Sequence, residues 1–130
     1  MPQYGYYVLD RRDFEQYLND AECLFLVASL DTLPVGYVLG PTNPWRKPPR
    51  AHIDSIAVLG EERRRGVGSR LLHTFMSQAR LRGCRHLSIE VSPTNEAGMT
   101  FFTRYGFRRV RPLPDYYGRG LHGLLMATSL

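Results

Sequence analysis

The run Arg63-Arg64-Arg65-Gly66-Val67-Gly68 constrains this chain more than any other segment. It joins a short apolar run, Ile56-Ala57-Val58, to a segment of helical periodicity, and so reads as the turn of a strand–turn–helix unit. Such a turn leaves backbone N–H groups unpaired at a helix N-terminus, where they attract phosphate. The glycines let the backbone come close to a ligand, and the arginines add permanent charge and forked donors. The unit can seat a pyrophosphate. Taken alone, it reads better as a solvated basic turn. It is not the dinucleotide fingerprint, which needs Gly-x-Gly-x-x-Gly, nor a Walker loop, because no Gly-Lys-Ser/Thr follows.

Periodicity organises the rest. Asp10 can cap a first helix over residues 10–21, with Phe14, Leu18 and Ala21 on one face. Residues 23–30 read as a strand, 31–34 as a turn and 35–39 as a second strand. Residues 41–50 hold four prolines and Trp45, which predicts a loop. A strand follows over 51–58. From 65 to 82, Val67, Leu71, Leu72, Phe75, Met76 and Ala79 recur at helical spacing until Gly83 ends the run. Residues 86–91 alternate, with Leu87, Ile89 and Val91 on one face. A helix is expected over 95–105, then strands over 107–113 and 121–128 joined by a Tyr/Gly-rich loop. The pattern is α+β, with layers of α/β type: a mixed sheet with helices on both faces. Leu71, Leu72, Phe75, Met76, Ile89, Phe101 and Phe107 are the expected core.

Composition removes several function classes. The chain has 130 residues, enough for one domain over 1–130 with a real core. A hydrophobic content of 43% argues against disorder. No apolar run is long enough to span a membrane, and nothing reads as a signal peptide. Cys23 and Cys84 lie far apart, which suggests reduced thiols in the cytoplasm and neither a disulfide scaffold nor a metal site. The net charge of +5 suits an acidic partner. Aromatic residues are not interleaved with the arginines on one surface, so a nucleic-acid-binding domain ranks last among the readings.

The chain resembles the GNAT superfamily of acetyl-CoA-dependent N-acetyltransferases. Their loop is written Gln/Arg-x-x-Gly-x-Gly/Ala, which Arg63 to Gly68 matches, with Ile56-Ala57-Val58 as the strand before it. An Asn that starts a helix ending in Gly-Phe is matched by Asn95 and by Gly106-Phe107. The likeness runs from about residue 51 to the C-terminus. It implies a GNAT-like, mostly antiparallel central sheet with an abbreviated N-terminus, since Met1 to Glu22 has room for one short strand and one helix. The acceptor site is then abbreviated too, or completed by the loop around Trp45 or by a second subunit, as in a homodimer. Acetyl-CoA is the implied cosubstrate and an amine, small or on a protein, the acceptor. No nucleic acid or membrane partner is implied.

The resemblance also distributes roles. Ile56, Ala57 and Val58 line the pantetheine through their backbone, the Val58 N–H serving as oxyanion donor. Arg64 to Ser69 cradle the pyrophosphate, with Arg63, Arg64, Arg65, Gly66, Val67, Gly68 and Ser69 as its contacts. Asn95 holds the pantetheine arm. Acyl transfer to an amine further needs a base, because an ammonium is no nucleophile. Glu90 is the first candidate, at the position where ribosomal-protein alanine acetyltransferases carry a Glu. A Glu on the solvated face of an alternating strand is the plainer reading, about equally weighted. His52 is the second, since arylalkylamine N-acetyltransferases carry two His at the places of His52 and Asp54, and period-2 geometry puts these two on one face. The general acid departs from the family: the usual Tyr position is Phe102, which would face the cofactor sulfur without a proton to give. Tyr116 and Tyr117 stand in a final hairpin like that of N-terminal acetyltransferases, whose Tyr pair lines the acceptor site, and Tyr117 is the substitute acid. The expected reaction is direct attack in a ternary complex. The rival reading is a GNAT-like acyl-CoA-binding module of weak or no activity.

Overall fold

The computed structural model describes residues 4–7, 22–60 and 66–130. The helix expected over 10–21 lies outside the described residues, as do Arg63, Arg64 and Arg65. The described strands are β1 (Tyr4–Tyr7), β2 (Cys23–Leu30), β3 (Leu33–Asn43), β4 (Arg50–Ile53), β5 (Ser55–Val58), β6 (His86–Val91), β7 (Arg108–Gly118) and β8 (Leu121–Ser129). The helices are α1 (Val67–Leu81) and α2 (Glu96–Arg104). The strands form one sheet in the order β1-β2-β3-β4-β6-β8-β7, with β5 also paired to β3. Its β4–β6 pair is parallel and the other described pairs are antiparallel. The expected mixed, mostly antiparallel sheet is therefore present.

Three boundaries differ from the sequence reading. The turn expected over 31–34 has only two residues, Asp31 and Thr32, because Leu30 pairs with Leu33. Both have positive φ, 49° and 70°, the mirror-image turn whose twist suits a hairpin. β3 then runs on to Asn43, into the expected proline loop. At the far edge β7 extends to Gly118, so Tyr116 and Tyr117 belong to a strand and not to a loop.

A fourth difference lies in the strand expected over 51–58, which is broken in two. Thr42 stands opposite Ala51, yet Leu39 stands opposite Ser55. Three steps along β3 thus match four along its partner, and the extra residue is a bulge at Asp54. Gly40 lies beneath it. A Cβ at position 40 would sit 1.7 Å from the His52 carbonyl oxygen, so the bulge folds over a residue that must lack a side chain.

Strand alternation sorts the side chains. Leu24, Leu26 and Ala28 of β2, Val38 of β3, Ala51 and Ile53, and Leu87, Ile89 and Val91 are buried in one cluster. Val67, Leu71, Leu72, Phe75 and Ala79 of α1 and Phe102 of α2 pack into it. Burying each large aliphatic or aromatic side chain contributes roughly 1.5–3 kcal/mol. Of the expected core, Leu71, Leu72, Phe75, Ile89 and Phe107 are buried; Met76 and Phe101 are partly buried against it. Phe25, Val27 and Leu39 form a second cluster with Tyr37. No described helix is long and apolar enough to cross a membrane.

Candidate active site

The bulge opens the sheet. β4 pairs with β6 from Arg50–His86 to Ile53–Ile89 and no further. Past Asp54, β5 keeps only its pairing to β3, while β6 continues beside β8 through Glu90 and Val91. Two parallel neighbours have parted, and a gap with backbone on both sides lies between them. Leu59 N–H donates to Val35 O at 2.8 Å. Alternation along an antiparallel strand then turns the Val58 N–H to the opposite edge, the one β6 has left.

The polar groups gather where the strands divide. His52 stands level with Ser88 in the parallel register. On β6, Leu87, Ile89 and Val91 enter the core, so Ser88 and Glu90 share the other face and are half-buried. His52 Nε2 meets Glu90 Oε2 at 2.6 Å, and its Nδ1 meets Ser88 Oγ at 2.6 Å. The two candidate bases are thus one hydrogen-bonded pair, with side chains 22% and 21% exposed, dry enough to strengthen the contact. The expected His52–Asp54 pairing is corrected: the bulge takes Asp54 out of the alternation and leaves it exposed. Partial burial still raises the Asp54 carboxyl above its ordinary value, opposed by His52 and reinforced by the Glu90 charge.

The last hairpin closes over this group. Tyr116 and Tyr117 meet edge to face at 4.8 Å between ring centres. Desolvation raises the Tyr116 phenol, and a hydrogen bond to Glu90 raises it further. Desolvation followed by the Glu90 charge raises Tyr117. Both causes favour the phenol over the phenolate, so both hydroxyls keep their protons at neutral pH. Asp115, at φ 55°, shapes the hairpin: its N–H donates to His122 Nδ1 at 3.1 Å, and its Oδ1 accepts from Gly120 N–H at 2.8 Å. A cavity of about 390 Å³ opens between this hairpin and the end of β6, lined by Ser92, Pro93, Thr94, Tyr117, Leu121 and His122 among others.

The expected phosphate seat falls at the start of α1. Gly66 is its N-cap at φ 77°, a conformation L side chains rarely adopt, and a Cβ there would meet nothing within 4 Å. No side chain caps this end and the first turn has no acidic residue, so its amides suit an anion. Gly68 packs near the Phe101 ring, which a Cβ on this glycine would meet at 3.6 Å, and Ser69 Oγ accepts from the Tyr105 hydroxyl. Tyr105 is accordingly a packing residue, also edge-on to His73. Asn95 caps α2 by accepting from Gly98 N–H at 3.0 Å. That bond uses its carbonyl and leaves the amide donors for another partner. Phe102 needs correction as a cleft residue. It is 5% exposed and edge-on to Phe101 and Phe107, so it belongs to the core.

Sequence reasoning misses Ser88, although its signal is present: it precedes Glu90 by two on an alternating strand and must share its face. Tyr116, read only as a lining residue, proves to be the phenol that reaches Glu90.

Fold and site place the chain among the acetyl-CoA-dependent acyltransferases. Residues 1–107 match the Acetyltransferase (GNAT) family, and the chain belongs to it. It is similar to the N-alpha-acetyltransferase of Sulfurisphaera tokodaii, 32% identical over 126 residues, covering 90% of this chain and 75% of the relative. Among solved structures, Ard1 from Thermoplasma volcanium superposes with a TM-score of 0.82 at 24% identity, covering 98% of this chain and 97% of that one. Arabidopsis thaliana Naa50, in complex with the bisubstrate analogue CoA-Ac-MVNAL, gives 0.82 at 18% identity over 98% and 99%. At these identities the structural likenesses carry the fold alone. The rival reading as a non-enzymatic module is set aside: the chain is an N-acetyltransferase with acetyl-CoA as cosubstrate.

Proposed function

We propose that this single domain, residues 1–130, acetylates the α-amino group of a peptide or protein N-terminus, with the His52–Glu90 pair as base. The observation that carries this reading is the 2.6 Å bond between the two, at the point where β4 and β6 divide. An α-ammonium has a pKa of about 7.7–8.0, against about 10.4 for Lys, so roughly a tenth is already neutral at pH 7. A carboxylate–imidazole pair suffices to take the proton of such an amine, where a Lys side chain would ask for more. The names of the relatives from Sulfurisphaera tokodaii and Saccharolobus solfataricus, both N-alpha-acetyltransferase, support the same acceptor.

In this scheme the ternary complex forms first. The ammonium proton passes to the Glu90 carboxylate, which His52 Nε2 contacts, and the freed lone pair attacks the thioester carbonyl carbon. The Val58 N–H supports the oxyanion. The carbonyl re-forms as the carbon–sulfur bond breaks; the thiolate takes a proton from Tyr117 or from water, and the second proton shed by the nitrogen as the amide forms restores that donor. Ile56 and Ala57 flank the pantetheine, and the Asn95 amide holds its arm. Arg63, Arg64 and Arg65 meet the phosphates with the amides of Gly66, Val67, Gly68 and Ser69. Cys23 and Cys84 are not joined in a disulfide, which suits a cytoplasmic setting.

The test is a set of matched peptides incubated with acetyl-CoA and read by mass spectrometry. Peptides with an open N-terminus should be acetylated there, and N-terminally blocked peptides carrying Lys should not. Glu90→Gln should lower turnover by about 10² to 10⁴ with acetyl-CoA affinity kept. Acetylation confined to Lys, or to small amines, would overturn the acceptor assignment.

A further inference from the structure

The His52 ring is held at both nitrogens, and one of its two partners does not ionise. Ser88 and Glu90 project from the same face of β6, about 6.6 Å apart along the strand. The ring bridges them, with Nδ1 at 2.6 Å from Ser88 Oγ and Nε2 at 2.6 Å from Glu90 Oε2. A serine hydroxyl is both donor and acceptor, and its hydrogen rotates to suit. With the ring neutral, Nε2–H donates to the Glu90 carboxylate and Nδ1 accepts from Ser88. When the ring gains a second proton, Nδ1–H donates and Ser88 Oγ accepts. Only one hydrogen turns, and no heavy atom moves.

We propose that Ser88 is a positioning residue that keeps the His52 imidazole aligned on Glu90 in both of its charge states. The inference rests on the reading of His52 and Glu90 as the base. Of the charged and titratable groups around them, Glu90 and Asp54 face His52; His52, Asp54, Tyr116 and Tyr117 face Glu90. Every one of these biases charge. Ser88 is the group at Nδ1, and it biases the tautomer. With an apolar neighbour there, the ring can take the Nδ1–H form. Its Nε2 lone pair would then face a carboxylate, and the two repel. The ring would turn away, and the Glu90 carboxylate would lose its imidazole partner.

The matched pair Ser88→Thr and Ser88→Val tests this, since the two differ only in the hydroxyl and both suit a strand. Nitrogen NMR of the imidazole should show the Nε2–H form of His52 in the Thr variant and a mixture with the Nδ1–H form in the Val variant. The kcat on an N-terminally open peptide should be kept with Thr and fall severalfold with Val, because only Thr holds the ring on Glu90. The KM for acetyl-CoA should not change. Indistinguishable tautomers in the two variants would overturn the proposal. Should the Val variant fail to fold, Ser88→Ala carries the same comparison. If Glu90→Gln turns over normally, the base assignment falls. The NMR comparison still decides whether Ser88 holds the ring.

Discussion

The two halves of the segment from Arg50 to Val58 lie one residue apart and do opposite things. β4 is paired on both sides, and its Ala51 and Ile53 are 1% and 0% exposed. β5 is paired on one side, and its Ile56 and Val58 are only partly buried. The first half therefore anchors the sheet, and the second leaves an open edge, where the proposed function seats its cofactor. On the proposed function, stability and binding are divided along this segment, with the bulge at Asp54 as the boundary.

A matched truncation probes that division most sharply. Ile53→Ala should cost about 2–5 kcal/mol in chemical denaturation, the range for a fully buried aliphatic side chain. Ile56→Ala should cost clearly less, since its site already reaches solvent. Equal losses would mean that both halves are core, and the division would fail.

The open half leads directly to the α1 N-terminus, where binding and not folding is at stake. Gly66→Glu places a carboxylate where the cofactor phosphates are expected, and like charges brought together cost several kcal/mol. Acetyl-CoA affinity should fall by about a hundredfold or more by calorimetry, while the fold bears only the strain of a left-handed residue, about 1–2 kcal/mol. A folded Gly66→Glu protein with unchanged affinity would remove the cofactor from this end of the helix.

Across the gap, Tyr117→Phe tests whether a phenol protonates the leaving thiolate. Turnover should fall about tenfold at unchanged acetyl-CoA affinity, a modest loss because a thiolate of pKa near ~8.5 departs without much help. Full activity would assign that proton to water. The smallest effect is expected at the boundary itself. Burial raises the Asp54 carboxyl, so folding disfavours its charged form. A raised carboxyl contributes stability below its ordinary value that is lost as pH rises through its folded value. Asp54→Asn should give a small rise in Tm at pH 7 that vanishes below about pH 4. A fall in Tm at pH 7 would mean that the attraction to His52 outweighs burial.

The parts of the fold with strong periodicity are legible in the sequence. α1 repeats its apolar residues over four turns, and β6 alternates without interruption, so both can be read with their buried faces. The bulge is not legible, because it depends on how 50–58 meets β3, and pairing between distant segments leaves no local signal. His52 is consequently matched to Asp54, its neighbour along the chain, when its partner is Glu90 on another strand. Phe102 fails for a related reason. The family pattern gives a position on α2, whereas the contacts with Phe101 and Phe107 decide where the side chain points. On this packing, a hydroxyl added by Phe102→Tyr enters the core and costs about 1–3 kcal/mol unless it finds a partner. The turns and strand ends are blurred because two-residue hairpins and edge strands follow from pairing more than from composition.

Gly40 carries a consequence beyond its own strand. The backbone of His52 passes so near that one methyl group at position 40 would collide with its carbonyl oxygen. A relative could keep His52, Ser88, Glu90, the arginine loop and Asn95, and with alanine in this one place still lose the geometry that makes them act together. On the proposed function, inheritance of the activity along a lineage therefore depends also on a residue that has no functional group to notice. A survey of chains of this kind that scored only their chemical groups would count inactive ones as active.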